Sequence, residues 1–158
     1  MSSNAATTAG LIEALAGHVR ELSAKIGERS VLRGDGLDRA KAYVRGAFEA
    51  AGLTVTEQAY GYDGRLVVNL IAAPPGLTAD ATPYIIGAHY DSVIGTPGAD
   101  DNASAVAVML ELARRTTAKP PVITQSWNTA KGRGQGSVGQ ANGHRNASPC
   151  RPRSMIGG

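Results

Sequence analysis

Tyr84-Ile85-Ile86-Gly87-Ala88-His89-Tyr90-Asp91 and, one short loop later, Pro97-Gly98-Ala99-Asp100-Asp101-Asn102-Ala103-Ser104 are the stretches whose reading decides the fold. The first is a short apolar run without alternation, as a strand buried on both faces and central in its sheet would be. The second leads into Ala105, Val106, Val108, Met109, Leu110, Leu112 and Ala113, the spacing of a largely buried helix from Asp101 or Asn102 to about Thr116. Strand, loop and helix in that order place one histidine and three carboxylates at a strand end, where α/β proteins build their sites.

The chemistry follows from the residue types. Gly87 and Ala88 are small and allow close approach. His89 leaves the strand tip with a ring nitrogen available to a metal, and Asp91 is near enough to hold the other nitrogen and fix the tautomer. The loop of Gly95 and Gly98 returns Asp100 and Asp101 to a helix N-terminus, where negative charge is favoured and where one carboxylate can bridge two cations. His-X-Asp alone is a weak signal, and Asp100, Asn102 and Ser104 also fit as helix N-caps. The full combination is what points to a metal.

Upstream, residues 8–29 read as an amphipathic helix with Leu11, Ile12, Leu15, Ala16, Val19, Leu22 and Ile26 on its stripe and His18 at its boundary. A second helix spans residues 37–51 after the Gly34-Asp35-Gly36 break, with Ala40, Tyr43, Val44, Phe48 and Ala51 on one face and Gly52 at its C-cap. Residues 53–60 and 66–72 read as two strands of a hairpin, turned at residues 61–64 and stopped by Pro74-Pro75-Gly76. Val122-Ile123-Thr124 begins a further strand.

The 158 residues suffice for one domain with a sizeable core. The net charge of +3 hides a split. Residues 1–120 carry 11 Lys/Arg against all 13 acids, a net of −2, and residues 121–158 carry five Lys/Arg and no acid. The basic character belongs to the tail, so a nucleic-acid partner is disfavoured. Cys150 is alone, which excludes an internal disulfide. The N-terminus lacks the pattern of a secretory signal and no run reaches the roughly 18 apolar residues of a membrane span, so the expected location is cytoplasmic. Two regions are expected: residues 1–121 as the folded domain and residues 122–158 as a low-complexity basic tail, disordered or read in a shifted frame from about residues 122–126.

The paired motifs, Ile86-Gly87-Ala88-His89-Tyr90-Asp91-Ser92-Val93 with Pro97-Gly98-Ala99-Asp100-Asp101-Asn102-Ala103-Ser104, resemble the M28 family of zinc peptidases, the aminopeptidase Y and leucyl aminopeptidase type. The resemblance covers roughly residues 10–120 and takes in Arg33, the second helix, Gly52-Leu53-Thr54-Val55 and Asn69-Leu70-Ile71-Ala72. It implies an α/β fold: the N-terminal portion of a zinc-exopeptidase mixed β-sheet flanked by helices. It implies two zinc ions, a peptide substrate, His89 and Asp101 as metal ligands with Asp101 bridging, and Asp91 as the orienter of His89. Asp100 matches no ligand, and Ala105 stands where family members commonly carry Gly.

The resemblance also implies residues that this chain does not show. The family has a Glu-Glu pair after the buried helix, the first the general base and the second a ligand, then a further Asp and His. No Asp or Glu follows Glu111 here, Glu111 itself is about 15 Å along a helix from Asp101, and His144 lies in the tail. The expectation is a truncated zinc aminopeptidase with weak metal binding and little or no activity, or alternatively a non-catalytic peptide- or partner-binding relative. Apolar surface left uncovered on the helix and sheet would favour self-association.

Overall fold

An Asp-Gly pair sets the first sheet contact. Asp63 and Gly64 have φ of 46° and 73°, the two positive values of a type I′ turn, which joins strands with the twist of a tight hairpin. Strand β1 (Thr54–Tyr62) and strand β2 (Arg65–Ala73) flank it, in register from Tyr62↔Arg65 to Thr54↔Ala73. The hairpin is longer than expected and its turn shorter, because the favoured two-residue turn lets Gly61 and Tyr62 stay in the ladder. The computed structural model describes residues 2–78, 84–116 and 122–127.

Helix α1 (Ser2–Arg20) runs into a wider, π-type turn at Glu21–Ile26. It does not reach residue 29 as expected. Gly27, at φ 84°, donates its N–H to Leu22 O at 3.2 Å and ends it, leaving Glu28, Arg29 and Ser30 in an irregular linker. Helix α2 (Gly36–Ala50) buries Ala40, Val44 and Phe48, the expected face. Helix α3 (Ala105–Thr116) buries Val106, Ala107, Met109, Leu110 and Ala113. These residues, Ala107 aside, meet Leu22, Leu53, Val68, Leu70 and Ala72 in one core. Each fully buried Leu, Val, Phe or Met among them contributes about 1.5–3 kcal/mol. His18 joins the three helices: its Nδ1 is 2.6 Å from the Tyr43 hydroxyl and its Nε2 3.5 Å from Glu111 Oε1.

Strand β3 (Tyr84–His89) and strand β4 (Val122–Trp127) complete a four-stranded sheet of order β1-β2-β4-β3. β4 runs antiparallel to β2 (Leu70↔Ser126) and parallel to β3 (His89↔Trp127), so the sheet is mixed and β3–α3–β4 forms a crossover unit. Two expectations change. β3 is not central among the described strands but an edge, with Tyr84 and Ile85 82% and 60% exposed. The strand begun at Val122-Ile123-Thr124 runs on to Trp127, so the sheet extends past residue 121. Residues 128–158, the rest of the expected tail, lie outside the described residues. Among the described residues no helix is long and apolar enough to cross a membrane.

Candidate metal centre

β3 delivers His89 at its C-terminal end because the residues on either side are anchored. Ala88 and Tyr90 are buried, and the Tyr90 hydroxyl donates to Val68 O at 2.6 Å. Burial raises the pKa of that hydroxyl far above the usual tyrosine value, so it remains a donor. Asp91, also buried, places Oδ1 3.1 Å from His89 Nδ1. On the other side of the ring, Nε2 lies 3.0 Å from Asp101 Oδ1. The imidazole is thus held between two carboxylates, one buried and one 70% exposed.

The structure brings Asp101 there by an irregular turn rather than by a helix start. Residues Ala99–Ser104 form a turn in which Asp101 (φ −107°, ψ 89°) and Asn102 (φ −138°, ψ 36°) are not helical, and the Asp101–Asn102 peptide is cis. The regular helix begins only at Ala105. The N-cap reading of Asp100, Asn102 and Ser104 is therefore replaced. Gly98 occupies the cap position of this turn without a side-chain cap bond, and the Ser104 hydroxyl donates to Asp100 O at 2.8 Å. Asp100 is exposed, as is Asp101.

The two carboxylates favour positive charge at the ring. Hydrogen bonding to Asp91 raises the pKa of His89, burial opposes this, and the charges of Asp91 and Asp101 add to the rise. With Nδ1–H donated to Asp91, the neutral ring presents its Nε2 lone pair to the Asp101 carboxylate. Two acceptors 3.0 Å apart repel unless a proton or a metal cation lies between them. Two ligands of one tetrahedral zinc, each about 2.0–2.1 Å from it, stand about 3.3 Å apart. His89 and Asp101 fit that with a small adjustment, and Asp91 is on the nitrogen that a ligating histidine donates from. The set is a partial one: among the described residues no group of three or more His, Cys, Asp or Glu converges to hold a metal ion. Glu111 is turned away, bonded to Arg114 Nη2 at 2.8 Å and beside His18.

A cleft of about 290 Å³ opens beside the pair. His89, Asp91 and Asp101 line one part of it, and Val31, Leu32, Tyr62, Val93 and Ile94 supply an apolar remainder.

One residue of the site escapes the sequence reading. Arg29 is wholly buried, and its guanidinium donates to main-chain oxygens at both ends of the loop between His89 and Asp101 and at the end of α1. Arg33, singled out by resemblance, is exposed. The available signal was the position of Arg29 just past a helix-ending glycine, off any amphipathic face.

Residues 69–128 match the sequence profile of Peptidase family M28. That span runs from within β2 to just past β4, so it contains every candidate ligand. The chain is 42% identical over 106 residues to the protein named Uncharacterized protein YfbL from Escherichia coli K12, covering 61% of this chain and 32% of that protein. It is 36% identical over 99 residues to Leupeptin-inactivating enzyme 1 of Streptomyces exfoliatus, covering 61% of this chain and 22% of that enzyme. Among solved structures, a glutaminyl cyclase of Porphyromonas gingivalis superposes with a TM-score of 0.62 at 23% identity, covering 81% of this chain and 48% of that one. A Zn-dependent exopeptidase of Parabacteroides distasonis superposes with a TM-score of 0.61 at 20% identity, covering 73% and 46%. The chain thus spans a third or less of these curated relatives and about half of these solved ones, and at such identities the superpositions speak for the fold alone.

Proposed function

This chain belongs to peptidase family M28, of which it carries the N-terminal part, and on that premise we propose that it builds one portion of a zinc-dependent exopeptidase centre acting on the N-terminal bonds of peptides. The observation that supports this is His89 held between Asp91 and Asp101. His89 and Asp101 would hold zinc. Bound zinc lowers the pKa of a coordinated water toward neutrality and polarises a carbonyl oxygen. Asp91 would hold the ring with Nε2 toward the metal, and Val31, Tyr62 and Val93 give the cleft an apolar wall beside it.

A second reading has its own observation. Among the described residues of this chain Asp91 and Asp101 are the carboxylates that line the cleft, and no group of three or more His, Cys, Asp or Glu converges to hold a metal ion. By itself it would bind zinc weakly through two side chains and hold a peptide or partner without cleaving it.

Zinc titration against a chromophoric chelator, run beside an assay with amino-acid p-nitroanilides, tests both readings. The expected result is weak zinc binding that disappears in His89→Ala and Asp101→Ala, with no hydrolysis above the blank. Zinc binding unchanged in His89→Ala would overturn the site. Hydrolysis that vanishes with His89→Ala would overturn the non-catalytic reading.

A further inference from the structure

Arg29 buries a full charge in the linker between α1 and α2. Such burial costs several kcal/mol unless the donors are matched. Its donors are matched by main-chain oxygens from three segments. Nε donates to Tyr90 O at 2.8 Å, the residue after His89. Nη1 donates to Pro97 O at 2.6 Å and Nη2 to Gly98 O at 2.9 Å, just ahead of the turn that carries Asp101. Nη1 also reaches Leu22 O at 2.7 Å and Gly27 O at 3.0 Å, at the end of α1. The main chain repeats the tie: Arg29 N–H donates to Ser92 Oγ at 2.9 Å, and Ser92 N–H to Arg29 O at 3.3 Å.

One planar group therefore grips both ends of the loop between the two candidate ligands and fastens them to the N-terminal helix. Burial lowers the pKa of the guanidinium and the nearby Asp91 carboxylate raises it. The same carboxylate holds His89, so Arg29 is coupled to the site by charge as well as by hydrogen bonds.

We propose that Arg29 is a positioning residue of the metal centre: its guanidinium clamps the exit from β3 to the start of the Asp101 turn and so sets the spacing between His89 Nε2 and Asp101 Oδ1. Its effect on metal rests on the zinc reading above, whereas its effect on the loop does not. An ammonium cannot replace it, because three donors on one atom do not reach carbonyls spread around a planar fork.

The test compares the full chain with Arg29→Lys, Arg29→Ala and Phe48→Leu, the last a core change away from the loop. Amide hydrogen exchange is followed by mass spectrometry, and zinc affinity by chelator competition, with and without millimolar guanidinium for Arg29→Ala. The expected result for Arg29→Lys is exchange at least about tenfold faster in residues 90–104, with the β1–β2 hairpin as protected as before. Zinc affinity should fall about 10–100-fold, and guanidinium should restore part of it in Arg29→Ala. Phe48→Leu should loosen the helices without loosening residues 90–104 selectively.

Unchanged protection of residues 90–104 in Arg29→Lys would overturn the proposal. So would loosening shared equally with the hairpin, as would failure of both Arg29 variants to fold, which would make Arg29 a residue of global stability. If the unaltered chain binds no zinc, the zinc reading falls and the exchange pattern still decides the clamp.

Discussion

At the scale of single residues, the site depends on two residues besides the candidate ligands. Asp91 holds the nitrogen of His89 that faces away from Asp101. Asp91→Asn keeps the shape but offers the ring either an amide oxygen without charge or a competing donor, so the imidazole loses its fixed tautomer. Zinc affinity should fall about 10–100-fold with little change in thermal midpoint, measurable by chelator competition. Gly98 is the other. Its φ is 55°, and a Cβ there would stand 2.6 Å from Asp101 O, 2.7 Å from Ser92 Cβ and 2.8 Å from Arg29 Nη2. Gly95, at φ 81°, has open space around a Cβ. Gly98→Ala should therefore cost about 2 kcal/mol or more, and Gly95→Ala only the backbone cost of about 1 kcal/mol. Urea unfolding of the two variants reads the difference, and equal losses would show that the crowding around Gly98 relaxes freely.

At the scale of elements, the packing of the three helices includes a polar joint. Glu111 on α3 is 4% exposed, yet it meets Arg114 and Arg115 of its own helix and His18 of α1, whose ring bonds to Tyr43 of α2. Hydrogen bonding from Arg114 holds its pKa below the usual carboxylate value, with burial opposing and with Arg115 and His18 adding to the lowering. A lowered folded-state pKa means that the unfolded chain takes up the proton first as pH falls. The stabilisation is therefore complete above the ordinary glutamate range, about pH 4.3, and is lost as pH drops through the folded-state value below it. Glu111→Gln should cost about 1–3 kcal/mol at pH 7. It should also flatten the acid limb of the stability curve, as urea midpoints between pH 3 and 7 would show. An acid limb unchanged in slope would mean that other carboxylates set it.

The elements also mark how far the sequence could be read. The hairpin, though not its two-residue Asp63-Gly64 turn, the apolar face of α2 and the β3–loop–α3 succession were legible because each is coded by neighbours in the chain. His89, Asp91 and Asp101 were legible for the same reason, lying within 13 positions of one another. Arg29 was not, since its partners at Tyr90, Pro97 and Gly98 lie 61, 68 and 69 residues away and are carbonyls, which carry no residue code. The place of β3 was missed because an apolar strand reads alike at a sheet's centre and at its edge.

At the scale of the whole molecule, β4 decides whether the two halves form one sheet. Among the described residues the β1–β2 hairpin and the β3–α3 unit share strand pairing only through it: Ile71 and Gly87 both stand opposite Gln125. A strand with neighbours on both sides has no free N–H row, so a proline anywhere in its middle removes a ladder bond and inserts a ring against a neighbour. Gln125→Pro should thus cost about 3 kcal/mol or more. It should release β3 from β2 while sparing the hairpin, whose nine β1–β2 pairings are made on the edge of β2 away from β4. Hydrogen exchange resolved to segments reads this directly, with protection lost in residues 84–89 and 122–127 and retained in residues 54–73. Because His89 is the last residue of β3 and pairs with Trp127, the same variant should abolish zinc binding although it changes no ligand. Zinc binding that survives Gln125→Pro would mean that the loop, Arg29 and the Asp101 turn hold His89 without the sheet.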